Sequence, residues 1–137
     1  MTSKQRVEAV FEGRQPDRLP LWEQGFASKP ASEIMGRPMK TGGGRFRFEN
    51  VKAADAGHDE LAAFQREAWE DQVALAEALD WDIVSVGWGM PSKPSKWIDE
   101  FTFLFGEQEE GKAWSVWRFD ARTDTLQQIA HHFENAD

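Results

Sequence analysis

HDELAAFQREAWEDQVALAEALDWDIVSVG, residues 58–87, decides the fold class. Leu61, Phe64, Ala68, Leu75 and Leu79 recur at helical spacing, while Glu60, Glu67, Glu70 and Glu77 fall away from that stripe. This predicts an amphipathic helix from about His58 to Leu79. Asp80-Trp81 then leads into Asp82-Ile83-Val84-Ser85-Val86-Gly87, which is apolar, β-branched and closed by glycine, the pattern of a buried strand. A helix joined closely to a buried strand implies an α/β layer.

Upstream, Thr2 or Ser3 can cap a first helix. Gln5 stands in the capping-box position, Val7, Val10 and Phe11 form an apolar stripe, and Gly13 is the stop. Gln15-Pro16-Asp17-Arg18 forces a turn, and Leu19-Pro20-Leu21-Trp22 reads as a short buried strand. Ala31 to Met35 can make one or two helical turns ended by Gly36, and Thr41-Gly42-Gly43-Gly44 reads as a flexible loop.

Downstream, Phe101-Thr102-Phe103-Leu104-Phe105 and Trp114-Ser115-Val116-Trp117-Arg118-Phe119 flank a polar, Gly-bounded loop and predict an antiparallel hairpin. Leu126, Ile129, Ala130 and Phe133 fit a last amphipathic helix over Thr125 to Glu134. The predicted order is helix, strand, weak loop, long helix, strand, hairpin, helix. That is less than half of an eight-fold barrel of roughly 250 residues.

The chain has 137 residues, within the range of one domain, and one core is expected. Its formal charge of −8 repels polyanions, so nucleic acid is an unexpected partner. It contains no Cys, which removes a disulfide framework, a thiolate zinc site and a thiol nucleophile, and suits a reducing cytoplasm. The first residues are polar and amphipathic, unlike a secretory signal, and no apolar run approaches the ~20 residues of a membrane span.

Arg6-Val7-Glu8-Ala9-Val10-Phe11-Glu12-Gly13, followed by Gln15-Pro16-Asp17-Arg18-Leu19-Pro20 and Trp22, resembles the uroporphyrinogen decarboxylase family, which includes the cobalamin-dependent methyltransferases. The likeness covers about the first 90 residues and is strongest over the first 22. It implies an α/β fold that is the incomplete N-terminal part of a (β/α)8 TIM-type barrel with an inserted β-hairpin, residues 1–137 being that portion of the barrel domain. It also implies an exposed apolar flank, self-association of the isolated chain and no complete active site.

Barrel enzymes place their chemistry at the C-terminal ends of strands, here after Trp22 and after Val86. The residues expected to line a substrate pocket are therefore Trp22, Glu23, Gln24, Trp88 and Met90, with no catalytic residue and no metal ligand assigned. The decarboxylases follow the first strand with carboxylate-binding arginines and the next with an aspartate. This chain has Glu23-Gln24-Gly25-Phe26-Ala27-Ser28 and Val86-Gly87-Trp88-Gly89-Met90 instead. Glu23 in place of a cation would repel a polycarboxylate. The resemblance thus implies corrinoid-dependent methyl transfer before porphyrinogen decarboxylation. Corrinoid and zinc would be cofactors of the full-length enzyme and not of this chain, and a small molecule or a corrinoid protein its partner.

Other residue patterns have plainer readings. His131 and His132 are adjacent and would point ~100° apart on a helix, with His58 remote. Glu70-Asp71 and Glu107, Glu109 and Glu110 read as a solvated helix face and a loop. Gly42-Gly43-Gly44 follows no strand and lacks the Lys-Ser/Thr of a phosphate loop. Pro91 to Trp97 reads as a surface link, and Gln65 and Gln72 fall on the apolar side of the long helix. The rival reading is a stand-alone, non-catalytic binding module that uses the aromatic hairpin Phe101 to Phe119.

Overall fold

The computed structural model describes residues 1–85 and 92–133. It is α/β: helices α1 (Ser3–Phe11), α2 (Ser28–Met35), α3 (Gly43–Ala56) and α4 (His58–Ala78) precede strands β1 (Lys96–Asp99), β2 (Thr102–Gly106), β3 (Trp114–Asp120) and β4 (Thr125–His132). The strands form one antiparallel sheet in the order β1-β2-β3-β4. Contacts divide the chain into two compact units, one of residues 1–41 and 66–85 and the other of residues 42–65 and 92–133. No helix among the described residues is long and apolar enough to cross a membrane.

In the first unit, α1 begins as its sequence dictates. Thr2 accepts from the Gln5 backbone N–H and Gln5 returns a bond to Thr2, a complete capping box. Its apolar stripe is not buried as expected: only Ala9 is enclosed, and Phe11 is 87% exposed. Helix α2 ends at Gly36, whose left-handed φ of 65° is the usual helix stop. Ala31 and Met39 pack with Leu75 of α4, and Phe26 meets Trp81 edge-on at 5.7 Å. The predicted long helix forms; its part in this unit buries Ala68 and Leu75, and its first turns, which belong to the second unit, bury Phe64.

Two predicted buried strands do not form. Leu19 to Trp22 and Asp82 to Ser85 are irregular, and Leu19, Leu21, Trp22, Ile83 and Val84 are all exposed. Val86 and Gly87 lie outside the described residues. The two segments touch through a reciprocal pair of bonds: Asp82 N–H donates to the Leu21 carbonyl at 2.8 Å, and Leu21 N–H donates to the Asp82 carboxylate at 2.9 Å. A strand needs a run of such bonds on a neighbour, and here there is one rung.

In the second unit, the predicted hairpin forms as β2–β3, pairing Thr102 with Arg118 through to Gly106 with Trp114. It is the middle of a larger sheet and not an isolated insertion, since β1 adds to one side and β4 to the other. Phe48 and Val51 of α3 pack on Phe103, Phe119 and Leu126 of the sheet, with Trp97, Phe105 and Trp117 around them.

Two further expectations are corrected here. Thr125 to His132 is strand β4 and not a helix, and Gly42-Gly43-Gly44 is not a loop but the start of α3. The helix starts there because the β3–β4 turn caps it: the Asp124 carbonyl accepts from Gly44 N–H at 3.1 Å, and its carboxylate accepts from Arg45 N–H at 2.6 Å. His131 and His132, now on a strand, occupy alternate faces.

Candidate functional site

The Pro16-Asp17-Arg18 turn and the residues after α4 are clasped by one carboxylate. The Asp82 side chain is fully shielded. It takes the Leu21 N–H, Arg6 Nη1 at 3.0 Å and Arg18 Nη1, while Arg6 Nε also holds Asp17 at 2.7 Å. The Leu21 amide, with Ser3, Arg6 and Arg18, holds the Asp82 carboxyl far below the usual carboxylate range. Asp17 is lowered by Arg6 first and by the chain's terminal ammonium next. Arg6 is raised by bonds to both carboxylates. The resemblance motif therefore acts in this unit as a structural clasp.

A carboxyl whose folded value is depressed stabilises the fold above its unfolded value and loses that contribution as pH falls through the folded value. The urea midpoint should therefore hold level down to about the ordinary value of 3.8 and drop below it. Tryptophan fluorescence across pH would follow this, and Asp82→Asn should flatten the acid limb. An acid limb identical in the variant would remove Asp82 from the clasp.

The clasp places the predicted site residues. Trp22 Nε1 donates to Ser85 Oγ at 2.7 Å, and Ser85 Oγ in turn lies 3.4 Å from the Glu23 carbonyl. Glu23 and Gln24 line a cavity with Thr41, Gln72, Trp81 and Ser85. Trp22 does not line it and is half exposed. Trp88 and Met90 lie outside the described residues. The cavity measures about 30 Å³, room for about two waters. Small-molecule sites run to roughly 300–1,000 Å³, so this space does not fit a corrinoid.

The chain matches no protein-family model, no curated protein and no solved structure.

Among the cavity residues outside the expected site, two carry buried polar atoms without a partner. Thr41 Oγ1 and Gln72 Nε2 are buried without a hydrogen-bond partner among the described residues, so both remain available to whatever occupies the cavity. Gln72 was legible as a polar residue on the apolar side of α4. Thr41 carried no sequence signal. Beside Gln72, Asp71 departs from the solvated-face reading: it is buried, bonding Arg37 Nη1 at 2.6 Å and the Lys40 N–H at 2.7 Å. Glu70 and the loop residues Glu107, Glu109 and Glu110 are exposed, as expected. Among the described residues no three His, Asp or Glu side chains gather to hold a metal ion.

Proposed function

We propose that the chain is the opening part of a uroporphyrinogen decarboxylase-type (β/α)8 barrel, on the corrinoid methyl-transfer side of that family, without a complete active site of its own. One observation carries the reading: Asp82 pins two strand-like segments side by side while Leu19, Leu21, Trp22, Ile83 and Val84 stay exposed. A barrel's first two strands would present such a greasy, half-paired edge to the strands that follow. Methyl transfer is favoured over decarboxylation because Glu23 and Gln24 stand where carboxylate-binding arginines would be needed. Corrinoid and zinc belong to the whole enzyme in this reading, and no residue here is assigned to hold either.

Sedimentation velocity tests it. The chain should self-associate in the micromolar range, and Leu21→Glu with Val84→Lys should return it to a monomer without lowering its thermal midpoint. A monodisperse wild-type chain, or porphyrinogen turnover by the chain alone, would overturn the reading.

A second reading, a binding module without chemistry, is favoured by the sheet unit. Its four antiparallel strands pair in sequence order over their own core of Phe48, Val51, Phe103, Phe119 and Leu126. Barrel sheets are parallel and need no such unit.

A further inference from the structure

We infer that a groove beside the β3–β4 turn of the sheet unit binds a small organic carboxylate with a flat apolar body. The inference rests on the binding-module reading and names the ligand class that module would take. The groove is open to solvent and offers about 500 Å³, room for a small organic molecule as well as for a lone ion. Phe101, Arg118, Asp120, Arg122, Gln127 and Ile129 line it.

Charge selects the ligand. In a chain of net charge −8, this groove holds two guanidinium groups that form no ion pair among the described residues. The nearby carboxylates are hydrogen-bonded to backbone amides and reach these guanidinium groups only as longer-range charges. Asp120 accepts the Arg122 N–H at 2.8 Å and the Thr123 N–H at 3.4 Å, closing the turn; the first of these bonds does most to hold it below the usual range, and the Arg122 guanidinium adds a smaller attraction at longer range. Asp99 accepts the Phe101 N–H at 2.8 Å and feels Arg118 only as a weaker, more distant charge. A guanidinium with no carboxylate hydrogen-bonded to it offers a planar, two-pronged donor that matches a carboxylate on a ligand.

The walls supply the apolar part. Phe101 is 39% exposed, and its ring lies 6.1 Å from Phe48 and 6.4 Å from Phe119. Its core side is thereby fixed, and the remaining surface is free to stack on a flat ligand. Ile129 is 53% exposed because it is the extra residue of a bulge: Val116 pairs with Ala130 and Trp117 with Gln128. Gln127 stands directly across from Arg118 and adds an amide beside the guanidinium.

The probe is 1-naphthoate, titrated into the isotope-labelled full chain by NMR, with uncharged 1-naphthalenemethanol as its neutral match. Saturable shifts should map to amides of 118–129, with naphthoate binding more tightly than the alcohol. Arg118→Gln with Arg122→Gln should weaken naphthoate roughly tenfold and leave the alcohol unchanged. Both arginines are exposed, so the fold should survive; were it to fail, added salt must weaken naphthoate alone in the wild-type chain. Equal naphthoate affinity in both proteins, or shifts centred elsewhere in the sheet, would reject the groove and leave the module reading standing. No saturable binding by any sheet residue would reject both.

Discussion

Phe48→Ala should cost about 3–5 kcal/mol and strip hydrogen-exchange protection from the strand amides of β2, β3 and β4. Phe48 is the hub of the sheet unit. It stacks on Phe119 at 4.7 Å and 11°, meets Trp97 edge-on at 6.0 Å, and lies 6.4 Å from Phe103. Truncation removes its ring contacts together and leaves a cavity against Phe103, which is wholly buried. The surrounding rings are rigid and cannot collapse into the space as Met side chains would, so the effect should sit at the upper end for this substitution. Urea denaturation followed by the fluorescence of Trp97, Trp114 and Trp117 would measure it. A loss below about 1 kcal/mol would mean that α3 does not anchor the sheet.

What the sequence disclosed follows the range of the forces involved. The α1 cap is local, Thr2 reaching Gln5, and so is the Gly36 stop; both were legible. Helix α4 was legible because its stripe repeats over many turns. The hairpin was legible because two short aromatic-rich runs, Phe101–Phe105 and Trp114–Phe119, flank a polar, Gly-bounded loop. Strand β4 was misread because its bulge at Ile129 breaks the alternation and leaves Leu126, Ile129, Ala130 and Phe133 at spacings that imitate a helix. The segments 19–22 and 82–85 have strand composition, but composition cannot supply the neighbouring strand that would make them one.

The candidate site divides the same way. Glu23 and Gln24 were expected at the end of a barrel strand that does not form, and they line the small cavity from an irregular segment. Asp82 was read as the first residue of a strand and is instead the centre of a clasp reaching Arg6 and Arg18, separated from it by 76 and 64 positions. Burial of its carboxylate depends on partners that no local window contains. The arginines of the sheet groove were likewise illegible, because the significance of Arg118 and Arg122 lies in having no carboxylate hydrogen-bonded to them once the chain is folded.

Gly44→Ala is the sharper test, because local and tertiary effects predict opposite signs. Within a helix, alanine is favoured over glycine by about 1 kcal/mol, so propensity alone makes the substitution stabilising. Yet a Cβ on Gly44 would lie 2.4 Å from the Asp124 carbonyl oxygen and 2.7 Å from the Thr125 carbonyl carbon, both backbone atoms that cannot rotate away. Relieving the clash pushes α3 off the turn, losing the two bonds by which Asp124 caps Gly44 and Arg45. Asp124 is itself held at a φ of 51°, so the turn has little freedom to follow. Overpacking and the lost cap together should cost roughly 2–4 kcal/mol, outweighing the propensity gain. Gly25→Ala, where a Cβ meets nothing within 4 Å, should be close to neutral in the same urea titration. If Gly44→Ala instead stabilised the chain, the close approach of α3 to the β3–β4 turn would be wrong, and with it the cap that turns three glycines into the start of a helix.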